Sequence, residues 1–170
     1  MLSRVVAQGL GTKAFDPQTW MLLALVQVEQ NDLDGVKRCR EELAAARRRD
    51  GETPRVRRMQ LLAAALVQAI GAQPAHAVPL LQQMASAWPE PDFDFEAAVN
   101  LVAAVSAVIS VRSVGVTLAE ATEWVRLVAR RFATSKSSSD TLAAAARRQP
   151  MLADAVRRGY AEVSAMTEQA

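Results

Sequence analysis

Apolar residues recur along most of the chain at intervals of three and four positions, which is the spacing of one face of an α-helix. Stretches of this kind, bounded by capping residues, prolines or glycines, predict eight helices near residues 17–30, 33–49, 54–70, 78–88, 94–113, 117–133, 140–148 and 150–168. No stretch alternates apolar and polar residues with the β-branched enrichment of a strand. The pattern therefore predicts an all-α protein.

The fifth of these stretches is apolar on nearly every side of a helical projection. Its most apolar part, residues 97–111, would rise only about 22 Å as a helix, which is less than the ~30 Å hydrocarbon core of a membrane. We therefore expect the central and most buried helix of the fold here, with Leu101, Val102, Val105 and Ile109 nearly fully buried.

The serine-rich stretch at residues 134–139 is predicted to be a loop, with Asp140 or a nearby serine capping the seventh helix. Serine hydroxyls and a lysine before a helix also suggest an anion site or a phosphate acceptor. Surplus capping residues on a flexible connection are the simpler interpretation.

Short turns between the predicted helices favour pairing of the first with the second, the third with the fourth, the fifth with the sixth and the seventh with the eighth. The pairs start about 40 residues apart, which is the period of helical-hairpin repeats. We expect residues 16–170 to form one all-α domain, preceded by an N-terminal extension at residues 1–15 that has no signal-peptide core.

The first predicted pair has a large residue at its start, then leucine and a small residue, an Asn-Asp turn, and a second helix with apolar packing positions: Trp20, Leu23, Ala24, Asn31, Asp32, Leu33, Asp34, Val36 and Leu43. This pattern resembles one degenerate tetratricopeptide repeat. The chain departs from that family at Gln27 and Arg40, where aromatic residues are usual, and at Val36, where alanine is usual. The resemblance implies a right-handed stack of αα hairpins whose concave face binds a partner peptide or domain. An irregular helical bundle would satisfy the same pattern.

Catalytic and metal-binding patterns are missing from the sequence. One cysteine and one histidine exclude an intramolecular disulfide framework and a Cys/His metal cluster within one chain. Cys39 falls on an apolar helical stripe, which predicts a buried and unreactive thiol, and His76 falls in a polar turn. We therefore predict no catalytic residue, no cofactor and no metal site.

Arginine is concentrated at the turn between the second and third predicted helices and again along the sixth. The candidate partner-binding residues are Arg47, Arg48, Arg49, Arg55, Arg57, Arg58, Arg126 and Arg130. The ordinary interpretation is a set of solvated arginines that complement helix C-termini. Six arginines within residues 47–58 exceed what the last turn of one helix can use, and a guanidinium binds carboxylate or phosphate with two parallel hydrogen bonds.

These observations predict a non-catalytic cytoplasmic adaptor, scaffold or regulatory module that binds another protein or peptide, whose matching surface would be acidic, through a helical groove. The alternative is a signalling output domain that binds an anionic small ligand, such as a nucleotide, at an arginine cluster. A net charge of +2 and 5% aromatic residues disfavour nucleic acid. No membrane association is expected, and a homo-oligomer is compatible with the sequence.

Overall fold

The computed structural model describes residues 16–86, 94–111 and 118–169, and every regular element within these ranges is helical. The α-helices are α1 (Pro17–Glu29), α2 (Leu33–Asp50), α3 (Pro54–Ile70), α4 (Ala77–Ser86), α5 (Phe95–Val111), α6 (Leu118–Arg131), α7 (Lys136–Ala145) and α8 (Pro150–Glu168). A single 3-10 turn, Pro74–His76, precedes α4. The protein is all-α, as the sequence predicts.

Local capping explains why the first helices begin at the predicted residues. Asp16 Oδ2 accepts a hydrogen bond from the Gln18 N–H at 3.2 Å, and Thr53 Oγ1 accepts one from the Val56 N–H at 3.2 Å. Each cap satisfies a backbone donor that the first helical turn leaves unpaired, and a proline follows each at the first helical position. Asn31, with a positive φ of 55°, makes the turn from α1 to α2.

The prediction of a loop through residue 139 is wrong, because α7 already begins at Lys136. Ser135 is the N-cap, and its Oγ accepts a hydrogen bond from the Ser138 N–H at 3.3 Å. Ser139 is buried together with Leu142, which lies one helical turn further on. The serines at 137–139 therefore belong to the first turns of the helix, where Ser is well tolerated, and Asp140 is not the cap.

Helix α5 lies at the centre of the fold, in contact with α1, α3 and α7. Leu101, Val102 and Val105 are buried, as predicted. Ile109 is only partly buried, which corrects the prediction of nearly complete burial. Its neighbour Ser110 is exposed, so the other helices cover the C-terminal end of α5 less completely than its middle.

Three of the four predicted helix pairs pack closely: α1 with α2, α3 with α4, and α7 with α8. The predicted pairing of α5 with α6 is wrong. These two helices have only a small contact, and α6 packs mainly on α8. The odd-numbered helices also contact one another in order, α1 with α3, α3 with α5, and α5 with α7, and α1 reaches α5 directly. Helices α1, α3 and α5 therefore contact one another pairwise, and α7 packs on α5.

Two sequence predictions begin outside the described residues. They are the N-terminal extension at residues 1–15 and the start of the sixth predicted helix at residue 117. The predicted C-terminal ends of the fourth and fifth helices, at residues 88 and 113, also lie outside the described part.

A glycine allows the close packing of α6 against α8. A Cβ atom at Gly159 would lie 2.5 Å from the Arg126 carbonyl oxygen and 3.0 Å from Ala129 Cβ. The first of these atoms belongs to helical backbone, which cannot move aside without shifting α6. The absence of a side chain at residue 159 therefore sets the distance between the two helices.

We predict that Gly159→Ala lowers the free energy of unfolding by about 1–3 kcal/mol, because α8 must move away from α6 to accommodate the methyl group. The sign is diagnostic, since glycine to alanine in an unhindered helix interior raises stability by up to about 1 kcal/mol. Urea unfolding of the two proteins measures the change. A variant as stable as the wild type, or more stable, would contradict the close approach.

Candidate functional site

The structure separates the predicted arginines at the α2–α3 corner rather than presenting them as one patch. Arg47 Nη2 donates to Glu52 Oε2 at 2.7 Å, and Arg55 Nη2 donates to Glu96 Oε1 at 2.6 Å. Arg58 is buried, with 6% of its surface exposed. Arg55 therefore ties the start of α3 to the start of α5, and Arg58 belongs to the interior.

The other predicted arginines lie in two different settings. Arg48 and Arg49 are exposed in the last turn of α2. On α6, the Nη2 of Arg126 donates to Glu123 Oε1 and its Nη1 donates to Glu162 Oε2, each at 2.6 Å. The hydrogen bond to Glu162 ties α6 to α8, and the one to Glu123, which lies on α6 itself, lowers the pKa of the Glu123 carboxyl.

Arg130 extends the same cluster, with its Nε 3.5 Å from Glu162 Oε2. The arginines of α6 thus stabilise the α6–α8 pair, and their charge is matched by nearby carboxylates. Neither Arg126 nor Arg130 lines the arginine-lined groove between α2 and α3 or the cavity between α1, α5 and α7.

A groove of about 600 Å³ lies between α2 and α3 and contains two of the predicted arginines. Its walls, which we call the arginine groove, are Arg40, Ala44, Arg47, Glu52, Arg57, Gln60, Leu61 and Ala64. Residues 40, 44 and 47 share one face of α2, and residues 57, 60, 61 and 64 share one face of α3. At one side of the groove the Gln60 amide donates to the Leu43 carbonyl at 3.1 Å and links the two helices.

The arginine groove combines positive charge with a small apolar surface. Three guanidinium groups line it, and Glu52 is its single carboxylate. Glu52 is hydrogen-bonded to Arg47, so Arg40 and Arg57 have no carboxylate partner in the groove itself. Such a surface suits a carboxylate-bearing segment that also has an apolar side chain to place against Leu61.

The sequence prediction omits Arg40, because Arg40 lies outside the arginine-dense stretch at residues 47–58. Arg40 lies two helical turns before Arg47, so the two side chains share a face of α2. The seven-residue spacing of Arg40 and Arg47 on a helix, rather than the local density of arginine, is the sequence signal that identifies Arg40. The sequence could not show that this face of α2 would meet the Arg57 face of α3.

A second cavity, which we call the odd-helix pocket, lies between α1, α5 and α7 and has a volume of about 430 Å³. Its walls are mostly apolar: Leu22, Leu23, Leu25 and Val26 from α1, Val99, Ala103 and Ala107 from α5, and Ala144 and Ala145 from α7. The remaining wall residues are polar or charged: Thr19, Glu29, Asn100, Ser106, Thr141, Arg147 and Arg148. Small alanine side chains on α5 and α7 leave the space that larger side chains would fill.

Three pairs of residues show how the helices run along the odd-helix pocket. Gln18 Oε1, near the start of α1, accepts a hydrogen bond from Asn100 Nδ2 of α5 at 3.0 Å. At the other end, Glu29 of α1 pairs with Arg147, just after α7. Ser110, near the end of α5, lies within 3.5 Å of the Arg148 carbonyl oxygen. The three helices therefore run in the same direction, and the pocket is elongated along them.

The two ends of the odd-helix pocket differ in chemistry. At the α1 N-terminal end, the buried Asn100 has its Oδ1 without a hydrogen-bond partner among the residues described. At the α1 C-terminal end, Glu29 Oε1 lies 2.8 Å from Arg147 Nη2 and 3.2 Å from Arg148 Nε. The hydrogen bond from Arg147, together with the charge of Arg148, lowers the pKa of the Glu29 carboxyl.

The remaining candidate groups take no part in either cavity. Cys39 is buried on the predicted stripe, and burial raises the pKa of its thiol to about 11, which leaves it unreactive at neutral pH. His76 is exposed at the end of the 3-10 turn. No group of three His, Cys, Asp or Glu side chains converges on a metal position within the described part of the chain. None of the helices described is long and apolar enough to span a membrane.

No protein-family model, curated protein or solved structure matches the chain.

We predict that acid weakens the protein partly through Glu29. A carboxyl whose pKa is lowered by folding contributes stability that is present above its unfolded pKa of about 4.3, and that is lost as the pH falls through the folded value. Glu29→Gln should therefore lose less stability than the wild type between about pH 6 and about pH 3. Urea midpoints at the two pH values measure this difference.

The matched control is Glu42→Gln on α2, since Glu42 is exposed and makes no ion pair with the residues described. Its pH dependence should follow that of the wild type. Equal loss of stability in Glu29→Gln and in the wild type would show that the Glu29 ion pair does not couple folding to pH.

Proposed function

We propose that the protein is a non-catalytic interaction module of the cytoplasm, an adaptor, scaffold or regulatory domain that binds an acidic segment of another protein in the arginine groove. The observation that carries the proposal is the groove's composition: three guanidinium groups and one carboxylate around Leu61. Carboxylates of the partner would form charge-assisted hydrogen bonds with Arg40 and Arg57, and an apolar side chain would cover Leu61.

The setting of the groove supports a binding role over a stabilising one. Arg55 and Arg126 bond carboxylates on other helices and hold the fold together. Arg40 and Arg57 are exposed, and no ion pair ties either to a carboxylate among the residues described. The exposed Arg48, at the end of α2, adds positive potential nearby, which would speed the approach of an acidic partner.

The position of the groove between successive hairpins also supports this proposal. It lies where α2 of the first helix pair meets α3 of the second. The resemblance of the first pair to a tetratricopeptide repeat favours the same class of function, because such hairpin stacks serve as protein-binding surfaces. We include in the proposal that the whole chain is a tetratricopeptide-like stack of helical hairpins.

We predict that Arg40→Ser/Arg57→Ser abolishes capture of the partner from a lysate of the source cells, while the fold and its melting temperature change little, because both side chains are exposed. The charge-matched control is Arg157→Ser/Arg158→Ser, which removes two exposed arginines from α8. Affinity capture with the three proteins, compared by mass spectrometry, identifies a protein that is lost from the first variant alone.

The captured partner then allows a rate measurement. Its association with the wild type should slow as salt is raised, and the Arg40/Arg57 variant should associate more slowly and with a weaker salt dependence. Equal capture by both double variants would refute the proposal. Stabilisation of the wild type by ATP, lost in the Arg40/Arg57 variant, would instead assign the groove to an anionic small ligand.

A further inference from the structure

The odd-helix pocket has the dimensions of a small-molecule site. Its volume of about 430 Å³ lies within the usual range for such sites, roughly 300–1,000 Å³. It extends along α1 from Thr19 to Glu29, a length of about 15 Å at 1.5 Å per residue. Most of its wall is aliphatic, and one of these wall residues, Leu22, is 51% exposed.

The charged groups of the pocket are gathered at one end. Glu29, Arg147 and Arg148 are its charged wall residues, so two guanidinium groups face one carboxylate. Glu29 Oε1 is in contact with Arg147 Nη2 and with Arg148 Nε. A guanidinium has five N–H donors, so each arginine keeps donors for a second anion.

The opposite end of the pocket is polar but uncharged, because Asn100 and Thr19 lie there. An aliphatic chain that starts at the arginines would be covered by Val26 and Ala103 and would end before the buried Asn100 amide. The length of the pocket limits such a chain to about ten carbons.

We propose that the odd-helix pocket binds a medium-chain aliphatic carboxylate, with its head at Arg147 and Arg148 and its chain between α1, α5 and α7. This site is separate from the arginine groove and does not depend on the function proposed for it. Glu29 holds the two arginines at the mouth and competes with the ligand for them. Removing the Glu29 carboxylate should therefore strengthen binding of the ligand. A purely structural role of the ion pair would not produce that result.

The test is isothermal titration calorimetry of the full chain with decanoate and with 1-decanol at neutral pH. Decanoate should bind at least about tenfold more tightly than the alcohol, because its head forms charge-assisted hydrogen bonds. Arg148→Gln should remove this preference, and Glu29→Gln should increase it several-fold. Arg147, whose side chain is 70% exposed, supplies a second variant, Arg147→Gln, that changes the head site without touching the core.

Leu22→Asp and Met151→Asp test the apolar part of the site. Both residues are about equally exposed, at 51% and 55%, but only Leu22 lies in the wall of the pocket. Leu22→Asp should weaken decanoate binding at least about tenfold, and Met151→Asp should leave it unchanged. Equal binding of acid and alcohol, no binding of decanoate, or equal loss in the two aspartate variants would overturn the proposal.

Discussion

Because α5 is apolar on almost every face, it can be stable in water only when other helices surround it. Helices α1, α3 and α7 provide that cover, and each contributes a buried apolar stripe to the same core. Around this centre, α2 packs on α1 and α3, α4 packs mainly on α3, and α8 packs on α6 and α7. The central position of α5 is the constraint on which the rest of the arrangement depends.

The two cavities follow from how the helices pack around α5 and outside it. The odd-helix pocket exists because α1 and α7 approach α5 through alanines such as Ala103 and Ala144, which are too small to close the space between them. The arginine groove lies outside the core, where partly exposed faces of α2 and α3 meet. One cavity is therefore mainly apolar and the other mainly polar, and they suit different ligands.

Features determined by neighbouring residues could be predicted from the sequence. The caps at Asp16 and Thr53 act over two or three positions, so the starts of α1 and α3 could be located from sequence alone. The start of α7 could not, because several adjacent serines and Asp140 could each have been the cap, and the structure shows that Ser135 is.

Features that join distant residues could not be predicted. The sequence shows an excess of arginine but not the partner of each one: Glu96 lies 41 residues from Arg55, and Glu162 lies 36 residues from Arg126. The α6–α8 contact depends on one missing side chain, at Gly159, whose role is visible only when the facing backbone is known. Both cavities arise between helices, so neither has a local signature.

Hydrogen–deuterium exchange followed residue by residue tests the central position of α5 most directly. Amides of residues 101–108, which face α1, α3 and α7, should exchange only through global unfolding and should be the slowest in the protein. Amides on the exposed face of α2 should exchange faster, through local opening. Exchange of residues 101–108 at the rate of α2 would show that α5 is not the enclosed core of the fold.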